Sequence, residues 1–501
     1  MKASRIVLAA CAAGLCACAV GPDFKRPAAP ADDSYGSAPQ QGETVVSEGP
    51  DGKAQRFVAG MDIPQQWWQL FQSPKLSGLV GQALQANPNL DAAQAALRQA
   101  HELYLAQRAT FFPLVQGGLS TTRAKNPSES LANPTNLPQA NPYYSLYTAQ
   151  LTLSYAPDVF GGNRRALEAA HAQAEATRFQ YEATYLTLSS NVVVTAVQEA
   201  SLRDQIAATE RLLQLQHQLT ETVRQERGLG TASNLDLLAQ QAAEAQTAQT
   251  LPPLQKQLGQ TRDALTALLG RLPAQEPQET FHLDDLSLPA DLPVSLPSKL
   301  VEQRPDVRQA EENMHAASAE VGVAVADMLP QFDITGSFGT TAVQFGHLFS
   351  PFNGFWSIGG SLTQTLFDAG ALLHKRRAAD AALDQAGDQY RAAVILACQN
   401  VADSLRALQA DADAVKASAE ADRAAKASFD LAQQQLKLGT ISQMAVLNAE
   451  QTYRQAELAL VQARANRYAD TAGLFQSLGG GWWNRPQEAG NPNAQPGIAG
   501  K

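Results

Sequence analysis

The sequence predicts a mainly α-helical protein with a small β portion that crosses a membrane. Three observations support this fold class: two very long segments that almost lack helix-breaking residues, four short segments in which polar and apolar residues alternate, and an internal repeat. No apolar run after Leu15 reaches the roughly 18 residues that a transmembrane helix needs. Any membrane-crossing part is therefore expected in the alternating segments.

The internal repeat organises the chain into two similar halves. The stretch NPNLDAAQAAL, from Asn87, is matched by RPDVRQAEENM from Arg304. Further along, RGLGTASNLDLLAQQ from Arg227 matches KLGTISQMAVLNAEQ from Lys437. The first half is longer between these points, and residues 124–142, rich in Pro, Asn and Ser, have the composition of an inserted loop.

The first segment has the layout of a secretory signal. Lys2 and Arg5 precede an apolar run of about ten residues, which is too short to span a bilayer. The sequence LCAC, ending at Cys18, resembles a bacterial lipobox, so residues 1–17 are expected to be removed and Cys18 acylated. The alternative is an ordinary signal peptide cleaved nearby, which would leave Cys18 a free thiol. Residues 18–62 are expected to form the lipid anchor and a linker rich in Pro, Gly and Ser.

The first half, residues 63–271, is predicted to hold a helix, two strands and two long helices. Strands are expected at about 113–124 and 145–156, where LYTAQLTLSYA alternates apolar and polar residues as outer-membrane strands do. The long helix at 163–228 lacks Pro and Gly until its last residue and predicts a rod of about 95 Å. The helix at 231–270 is expected to bend or break at its LPPL sequence.

The second half, residues 303–478, is predicted to repeat this order. Its elements after the first helix are strands at about 331–341 and 355–366 and long helices at 371–438 and 440–478. Apolar residues recur along the last two helices with the alternating spacing of four and three that characterises a coiled coil. A linker at 272–302 joins the halves. A flexible tail is expected at 479–501.

Four strands per chain indicate an oligomer. An open sheet in lipid leaves the backbone groups of its edges unpaired, at several kcal/mol each. The smallest bacterial barrels have about eight strands, so chains would have to share one barrel. The alternative is a soluble sheet with one buried face, because alternation alone does not identify the solvent.

Composition and motifs argue against several other functions. A net charge of −10 and a pI near 5.3 disfavour a nucleic-acid partner. The seven histidines are scattered without HExxH spacing, and no nucleophile elbow or phosphate-binding loop is present in the sequence. One free thiol, Cys398, remains after the expected cleavage and the acylation of Cys18, and its place on the heptad seam indicates a small buried hydrophobe. We therefore expect no catalytic, metal-binding or cofactor-binding residues.

The chain resembles the outer-membrane factor family of tripartite efflux pumps, the TolC-like channels, and within it the lipoprotein, NodT-type branch. The resemblance rests on CAVGPDFKRP, WWQLFQSPKLSGLVGQALQANPNL, the paired LGT turns and SLGGGWW, in that order. It implies a homotrimer with twelve strands in one shared β-barrel and a long α-helical barrel in the periplasm, and it implies that the linker at 272–302 is equatorial. It also implies an outer-membrane, lipid-anchored location and two protein partners, a periplasmic adaptor and an inner-membrane pump.

The resemblance also implies functional residues at the periplasmic tip. Glycine favours a tight reversal between long helices, and the turns that would dock the adaptor are formed by Leu229, Gly230, Thr231, Leu438, Gly439 and Thr440. The family often narrows this tip with a carboxylate ring in a motif like LLDAQ. Here the motif reads VLNAE, with Asn448 at the position of the acid. Asp236, in the first half, could supply charge to a constriction or could cap its helix.

The function expected from these features is a passive exit duct for drugs or other small molecules. An adaptor and an energy-supplying pump would dock with it. Two alternatives remain: the outer-membrane component of a type I protein secretion system, and a periplasmic coiled-coil scaffold lipoprotein. Outer-membrane fractionation and heat-modifiable migration on gels would separate a channel from a scaffold.

Overall fold

The computed structural model of the 501-residue chain describes residues 19–32, 34–36, 42–49, 51–125 and 143–485. These residues group into two compact units. The first unit contains the described chain up to Arg26, together with Leu97–Thr177 and Ala310–Tyr390, and the second contains the rest. Within the described ranges, no helix has both the length and the apolar composition that crossing a membrane requires.

The described chain is mostly helical. Its α-helices are, in order, α1 (Pro74–Ala86), α2 (Pro88–Arg108), α3 (Gly162–Gly228), α4 (Asn234–Ala248), α5 (Leu251–Leu268), α6 (Pro297–Gln303), α7 (Pro305–Ala326), α8 (Ala371–Lys437) and α9 (Gln443–Ser477). Its strands are β1 (Arg56–Ala59), β2 (Leu114–Lys125), β3 (Tyr143–Tyr155), β4 (Asp291–Val294), β5 (Gln331–Ala342) and β6 (Gly354–Thr363).

The two longest helices, α3 and α8, each contain 67 residues. At 1.5 Å per residue each is about 100 Å long. Gly387 lies inside α8 without interrupting it. A glycine in a helix interior costs only about 0.5–1 kcal/mol, which the packing of a long helix readily offsets.

The segment predicted as helix at 231–270, with a bend or break at LPPL, forms two helices. α4 ends at Ala248 and α5 begins at Leu251, with Pro252 and Pro253 in its first turn. Proline has no N–H to donate to a preceding turn, but the first turn of a helix does not need that bond. The LPPL sequence therefore ends one helix and starts the next.

Helices α8 and α9 bury most of the heptad positions in the second unit. On α8 these are Val401, Leu405, Leu408, Ala412 and Val415, and on α9 they are Ala465, Tyr468, Ala472 and Phe475. The indole of Trp67 stacks on the ring of Phe475 with centroids 5.4 Å apart. Cys398, expected to be a buried hydrophobe, is half-buried.

The two segments expected to be linkers form a small parallel sheet. β1 pairs with β4, with Arg56 opposite Asp291, and the guanidinium and carboxylate of these residues are 2.7 Å apart. We call residues 42–49 and 51–59, which end in β1, the strap. The strap contacts α9 through Arg467, whose guanidinium is fully buried.

The first residues of the segment expected to be a flexible tail, 479–485, are folded against the rest of the second unit. Trp482–Asn484 form a 3-10 helix, and the Trp482 indole N–H donates to the Gln303 carbonyl at 2.6 Å. The Trp482 ring also packs edge-on against Phe179, with centroids 5.6 Å apart. The part of the predicted tail from residue 486 onward lies outside the described residues.

The first unit contains a four-stranded antiparallel sheet. Its strand order is β2-β3-β5-β6, so β3 of the first half of the chain pairs with β5 of the second. Each strand overlaps the range predicted from alternation and differs from it by a few residues at the ends. The register of these strands determines which side chains share a face of the sheet.

Candidate functional site

One face of the four-stranded sheet is apolar. Leu151 lies opposite Phe338, and Phe338 lies opposite Trp356, so the three form a row across β3, β5 and β6. Their side chains are 53%, 67% and 75% exposed, respectively. The same face exposes Val115, Leu119, Leu153, Ile334, Ile358 and Leu362. An apolar surface of this extent on strands is typical of contact with lipid or with another protein.

The opposite face carries hydroxyl and amide side chains. The hydroxyl oxygens of Thr148 and Thr341 are 3.2 Å apart, and those of Ser337 and Ser357 are 2.7 Å apart. Along the described strands of this sheet, Asp333 is the one charged side chain on the polar face. Alternation in the sequence predicted a polar face. The strand register was needed to show that Asp333 is the single charged side chain on it among the described strands.

The sheet is open at both edges. β2 and β6 each pair with one neighbour among the described strands. An unpaired strand edge exposes a row of backbone N–H and C=O groups, which water can satisfy and lipid cannot. A sheet with one apolar face in lipid therefore requires further strands at both edges.

The chain directly after Cys18 is held against the first unit, although Cys18 itself lies outside the described residues. The backbone N–H of Val20 donates to the carbonyl of Phe160 at 3.0 Å. Gly161 has a φ of +81°, and a Cβ added there would lie 2.5 Å from the Cα of Ala19. Because only glycine permits this approach, the start of the described chain is fixed at the connection between β3 and α3.

A buried arginine strengthens this attachment. The Arg165 guanidinium donates to the Val20 carbonyl at 3.1 Å, to the Asp23 carboxylate at 2.6 Å and to the Glu168 carboxylate at 2.8 Å. Its side chain is only 6% exposed. Neither the motif CAVGPDFKRP nor the helix pattern identified Arg165, because two of its partners, Val20 and Asp23, lie more than a hundred residues away in the sequence.

His315 adds a pH-sensitive contact to the same attachment. Its Nδ1 is 3.2 Å from a Glu312 carboxylate oxygen and its Nε2 is 3.0 Å from one of Glu168. Its ring stacks on Phe24, with centroids 4.4 Å apart. The hydrogen bond to Glu312, and then that to Glu168, raise the pKa of His315 above its ordinary value.

We expect the attachment of residues 19–26 to weaken as the pH rises above about 6.5, the ordinary pKa of histidine. Below that pH the imidazolium is present in folded and unfolded chains, and its ion pairs contribute fully to stability. The contribution is lost as the pH rises through the raised pKa of the folded state. Hydrogen exchange of this segment at pH 6 and pH 8.5 measures the loss, and His315→Gln should abolish it. The exposed His347→Gln is the matched control, and equal pH dependence in both variants would contradict the assignment.

The two helix turns proposed from the sequence share one hydrogen-bond pattern. The Thr231 N–H and hydroxyl both donate to the Glu226 carbonyl at 2.9 Å, and those of Thr440 donate to the Gln435 carbonyl at 3.0 Å. Between them Gly230 and Gly439 adopt φ of +80° and +71°. These bonds satisfy carbonyls that the helix ends leave unpaired.

Each turn presents an apolar side chain to solvent. Leu229 is 81% exposed and Leu438 is 77% exposed. The side-chain amide of Gln443, at the start of α9, donates to the side-chain oxygen Oε1 of Gln240 on α4 at 3.0 Å, so the helices after the two turns lie side by side. Exposed leucines at the ends of ordered turns are typical of a docking surface for another protein.

The two candidate constriction residues have different surroundings. Asp236 forms a capping box with Ser233: its carboxylate accepts from the Ser233 N–H at 3.1 Å and from the Ser233 hydroxyl at 2.7 Å. These bonds lower the pKa of Asp236, so it stays ionised as a helix cap. Asn448 is exposed on the second turn of α9 and carries no charge.

We expect Gly230→Val to destabilise the first turn by about 1–2 kcal/mol, because a β-branched residue is strained at positive φ. No atom lies within 4 Å of a Cβ added at Gly230, so the effect reports backbone strain and not a clash. Thermal unfolding measures it. Gly259→Ala, in the interior of α5 with equally open surroundings, should be neutral or slightly stabilising. Similar losses in both variants would contradict the strain argument.

Among the described residues, no group of three or more His, Cys, Asp or Glu side chains is arranged to hold a metal ion. What the geometry offers instead is a two-faced sheet, a fixed N-terminal segment and a pair of exposed turns. These features suit a membrane-embedded channel that binds other proteins.

Comparisons with known proteins agree with this geometry. The family described as outer membrane efflux protein matches residues 79–271 and 296–480. The pyoverdine export outer membrane protein OpmQ of Pseudomonas putida is 29% identical over 421 residues, which cover 83% of this chain and 88% of OpmQ. The toluene efflux pump outer membrane protein TtgC of Pseudomonas putida is 27% identical over 505 residues, 99% of each chain. The solved outer-membrane channel OprN matches with a TM-score of 0.82 and 28% identity, covering 93% of this chain and all of that one.

Proposed function

This chain belongs to the outer membrane efflux protein family, and from that premise we propose that three copies form a passive exit duct in a tripartite efflux system. The protein is an outer-membrane efflux channel. Within the proposed assembly, the sheets of three chains close one twelve-stranded barrel across the outer membrane. The long helices of the two similar halves form a periplasmic tunnel.

The open, two-faced sheet is the observation that carries this proposal. Its apolar face suits lipid and its hydroxyl-rich face suits a water-filled lumen. Its two edges need neighbours, which further copies of the same sheet supply without any other protein. In a periplasmic coiled-coil scaffold, the exposed row of Leu151, Phe338 and Trp356 would face water, which is unfavourable for such an apolar surface.

Docking of a periplasmic adaptor is assigned to the paired turns at Leu229, Gly230 and Thr231 and at Leu438, Gly439 and Thr440. The matched backbone geometry gives two similar surfaces on each chain, and the exposed leucines supply apolar contact area. An inner-membrane pump supplies the energy in this scheme.

Lipid anchoring through Cys18 is supported by the attachment of Ala19. Val20 is bonded to the connection between β3 and α3 and Ala19 packs against it, so an acyl chain on the preceding residue would start close to the end of β3. Several acyl chains give lasting membrane residence. Cys18→Ala should therefore leave the channel folded while removing the lipid.

The lumen offers little basis for choosing among cargoes. TtgC is named for toluene efflux and OpmQ for pyoverdine export, which are chemically unlike compounds. We propose drugs or other small molecules as cargo. A cation-selective constriction at Asn448 is not supported, because Asn448 is neutral and Asp236 is engaged in its capping box.

Reconstitution of the full-length protein tests the proposal. We expect recovery in the outer-membrane fraction, heat-modifiable migration as a trimer and stepwise conductance in planar bilayers. A protein that stays water-soluble and monomeric would contradict the duct. Export of a protein substrate with no effect on small molecules would favour type I secretion instead.

A further inference from the structure

A buried carboxyl group lies close to the second helix turn. Glu450, on α9, is only 1% exposed. One helical turn before it, Val446 belongs to a buried cluster with Phe429 and Ala432 of α8, against which Leu215 of α3 packs. Residues four apart on a helix share one face, so Glu450 lies on the face of α9 that contacts α3 and α8.

Glu450 has no partner that would stabilise a negative charge there. Neither of its carboxylate oxygens has a hydrogen-bond partner among the described residues. The side-chain amide of Gln216, on α3, faces the carboxyl and would lower its pKa, but no hydrogen bond to it has normal geometry. The carbonyl oxygen of that amide is also buried without a partner among the described residues. A carboxyl group that is buried without a partner is less costly in its neutral form than as a carboxylate, so this geometry indicates that Glu450 carries a proton.

The charged groups around Glu450 do not neutralise it. Arg454, one turn along α9, is the cation that acts on it, but its guanidinium donates to the Thr247 hydroxyl at 3.0 Å. On α3 and α4, His217 and Glu244 pair with each other at 3.0 Å, and the Thr220 hydroxyl donates to Glu244 at 2.6 Å. α8 contributes the apolar Phe429 and Ala432.

We propose that Glu450 is a proton-binding site that couples the packing of α9 against α3 to the pH around the helix turns. With the proton bound, the carboxyl is neutral and the helices pack closely. With the proton lost, the carboxylate needs water, which it gains when α9 separates from α3. The location of this site at the periplasmic tip rests on the proposed function, but the coupling itself does not.

The direction of the pH effect follows from burial. Burial raises the pKa of Glu450 to about 7, with smaller opposing contributions from Gln216 and Arg454. An exposed glutamate ionises near pH 4.3. Between these values the open state loses its proton while the packed state keeps it, so raising the pH favours opening.

The position of this acid differs from the one that the family resemblance implies. The motif LLDAQ would place its acid at Asn448, which is exposed. In VLNAE the acid lies two residues later, on the buried face of the same helix. The acid of this chain is therefore placed to control helix packing and not to line a constriction.

Hydrogen exchange of the full-length protein in detergent tests the proposal. Protection of residues 443–455, corrected for intrinsic exchange rates, should fall about tenfold between pH 6 and pH 8 in the wild type. Glu450→Gln keeps the shape without the ionisation and should show no such fall. Glu457→Gln is the matched control on the same helix, because Glu457 pairs with the exposed Arg211, and it should retain the wild-type dependence. The same pH dependence in wild type and Glu450→Gln would overturn the proposal.

A second measurement covers the case in which Glu450→Gln does not fold. Infrared difference spectra of the otherwise wild-type protein between pH 6 and pH 8 should show loss of a protonated-carboxyl band. Asp411, whose pKa burial and the neighbouring Asp470 raise to about 7, would give a similar band, so Asp411→Asn is the background. Absence of the band in that background overturns the proposal. Failure to conduct in bilayers would count against the duct alone, since neither measurement depends on conductance.

Discussion

Replacing Ile358 by arginine is expected to prevent stable insertion into membranes. Ile358 lies in the middle of β6, opposite Gly336 of β5, and its side chain is 75% exposed on the apolar face. An arginine on the lipid side of a membrane strand costs about 2–4 kcal/mol near the bilayer midplane. In the proposed trimer this cost applies three times. Folding into lipid vesicles, followed by heat-modifiable migration, measures the loss.

The neighbouring residue provides the matched control. Ser357 lies on the polar face, where its hydroxyl is 2.7 Å from that of Ser337. Ser357→Arg introduces the same charge on the same strand, but toward the proposed lumen, where water can hydrate it. We expect this variant to insert and conduct. Equal tolerance of both arginines would show that the apolar face does not contact lipid.

The elements with strong local signals could be predicted from the sequence. The long helices follow from uninterrupted runs of helix-forming residues, and the strands of the four-stranded sheet follow from alternation. The turns at Gly230 and Gly439 could be predicted because a glycine at positive φ is a local requirement of the reversal. The helix break after Ala248 follows from the two prolines in LPPL.

The parts that depend on contacts between distant residues could not be predicted. β1 and β4 are four residues each, and β4 contains a proline, so neither has an alternating pattern. The motif VLNAE drew attention to Asn448 and not to Glu450. The burial of Glu450 could not be predicted from the motif, because it depends on the packing of three helices. Asp236 had two interpretations in the sequence, and its bonds to Ser233 identify it as a helix cap.

Arg467 is the clearest example of a residue whose role the sequence hides. Arg467 lies on α9, a helix rich in alanine, and an arginine on such a helix is usually exposed to solvent. In the structure it is fully buried beneath the strap. Its guanidinium donates to the side chains of Gln55 and Thr44 at 3.0 and 3.1 Å and to the carbonyls of Asp51 and Lys53 at 2.8 and 2.9 Å.

Neighbouring residues on α9 extend this attachment. Arg464 donates to the Asp51 carboxylate at 2.7 Å, and the Tyr468 hydroxyl is 2.6 Å from its other oxygen. Burial lowers the pKa of the Arg467 guanidinium, and the negative charge of Asp51 opposes this shift. The strap is thus fixed to α9 by charge-assisted bonds that few other residues could make.

Arg467→Met is therefore expected to destabilise the protein by about 3–5 kcal/mol. Methionine fills much of the volume but leaves the Asp51 and Lys53 carbonyls and the buried Gln55 side-chain oxygen without the guanidinium donor. Arg467→Lys keeps the charge but cannot reach four acceptors at once, so an intermediate loss is expected. Thermal unfolding and protease cleavage within the strap measure both effects.

Arg211→Met, which removes an exposed arginine paired only with Glu457 in the described structure, should change stability by less than about 1 kcal/mol. A strap that remains protected in Arg467→Met would mean that β1 pairing with β4, and not the buried guanidinium, holds it in place.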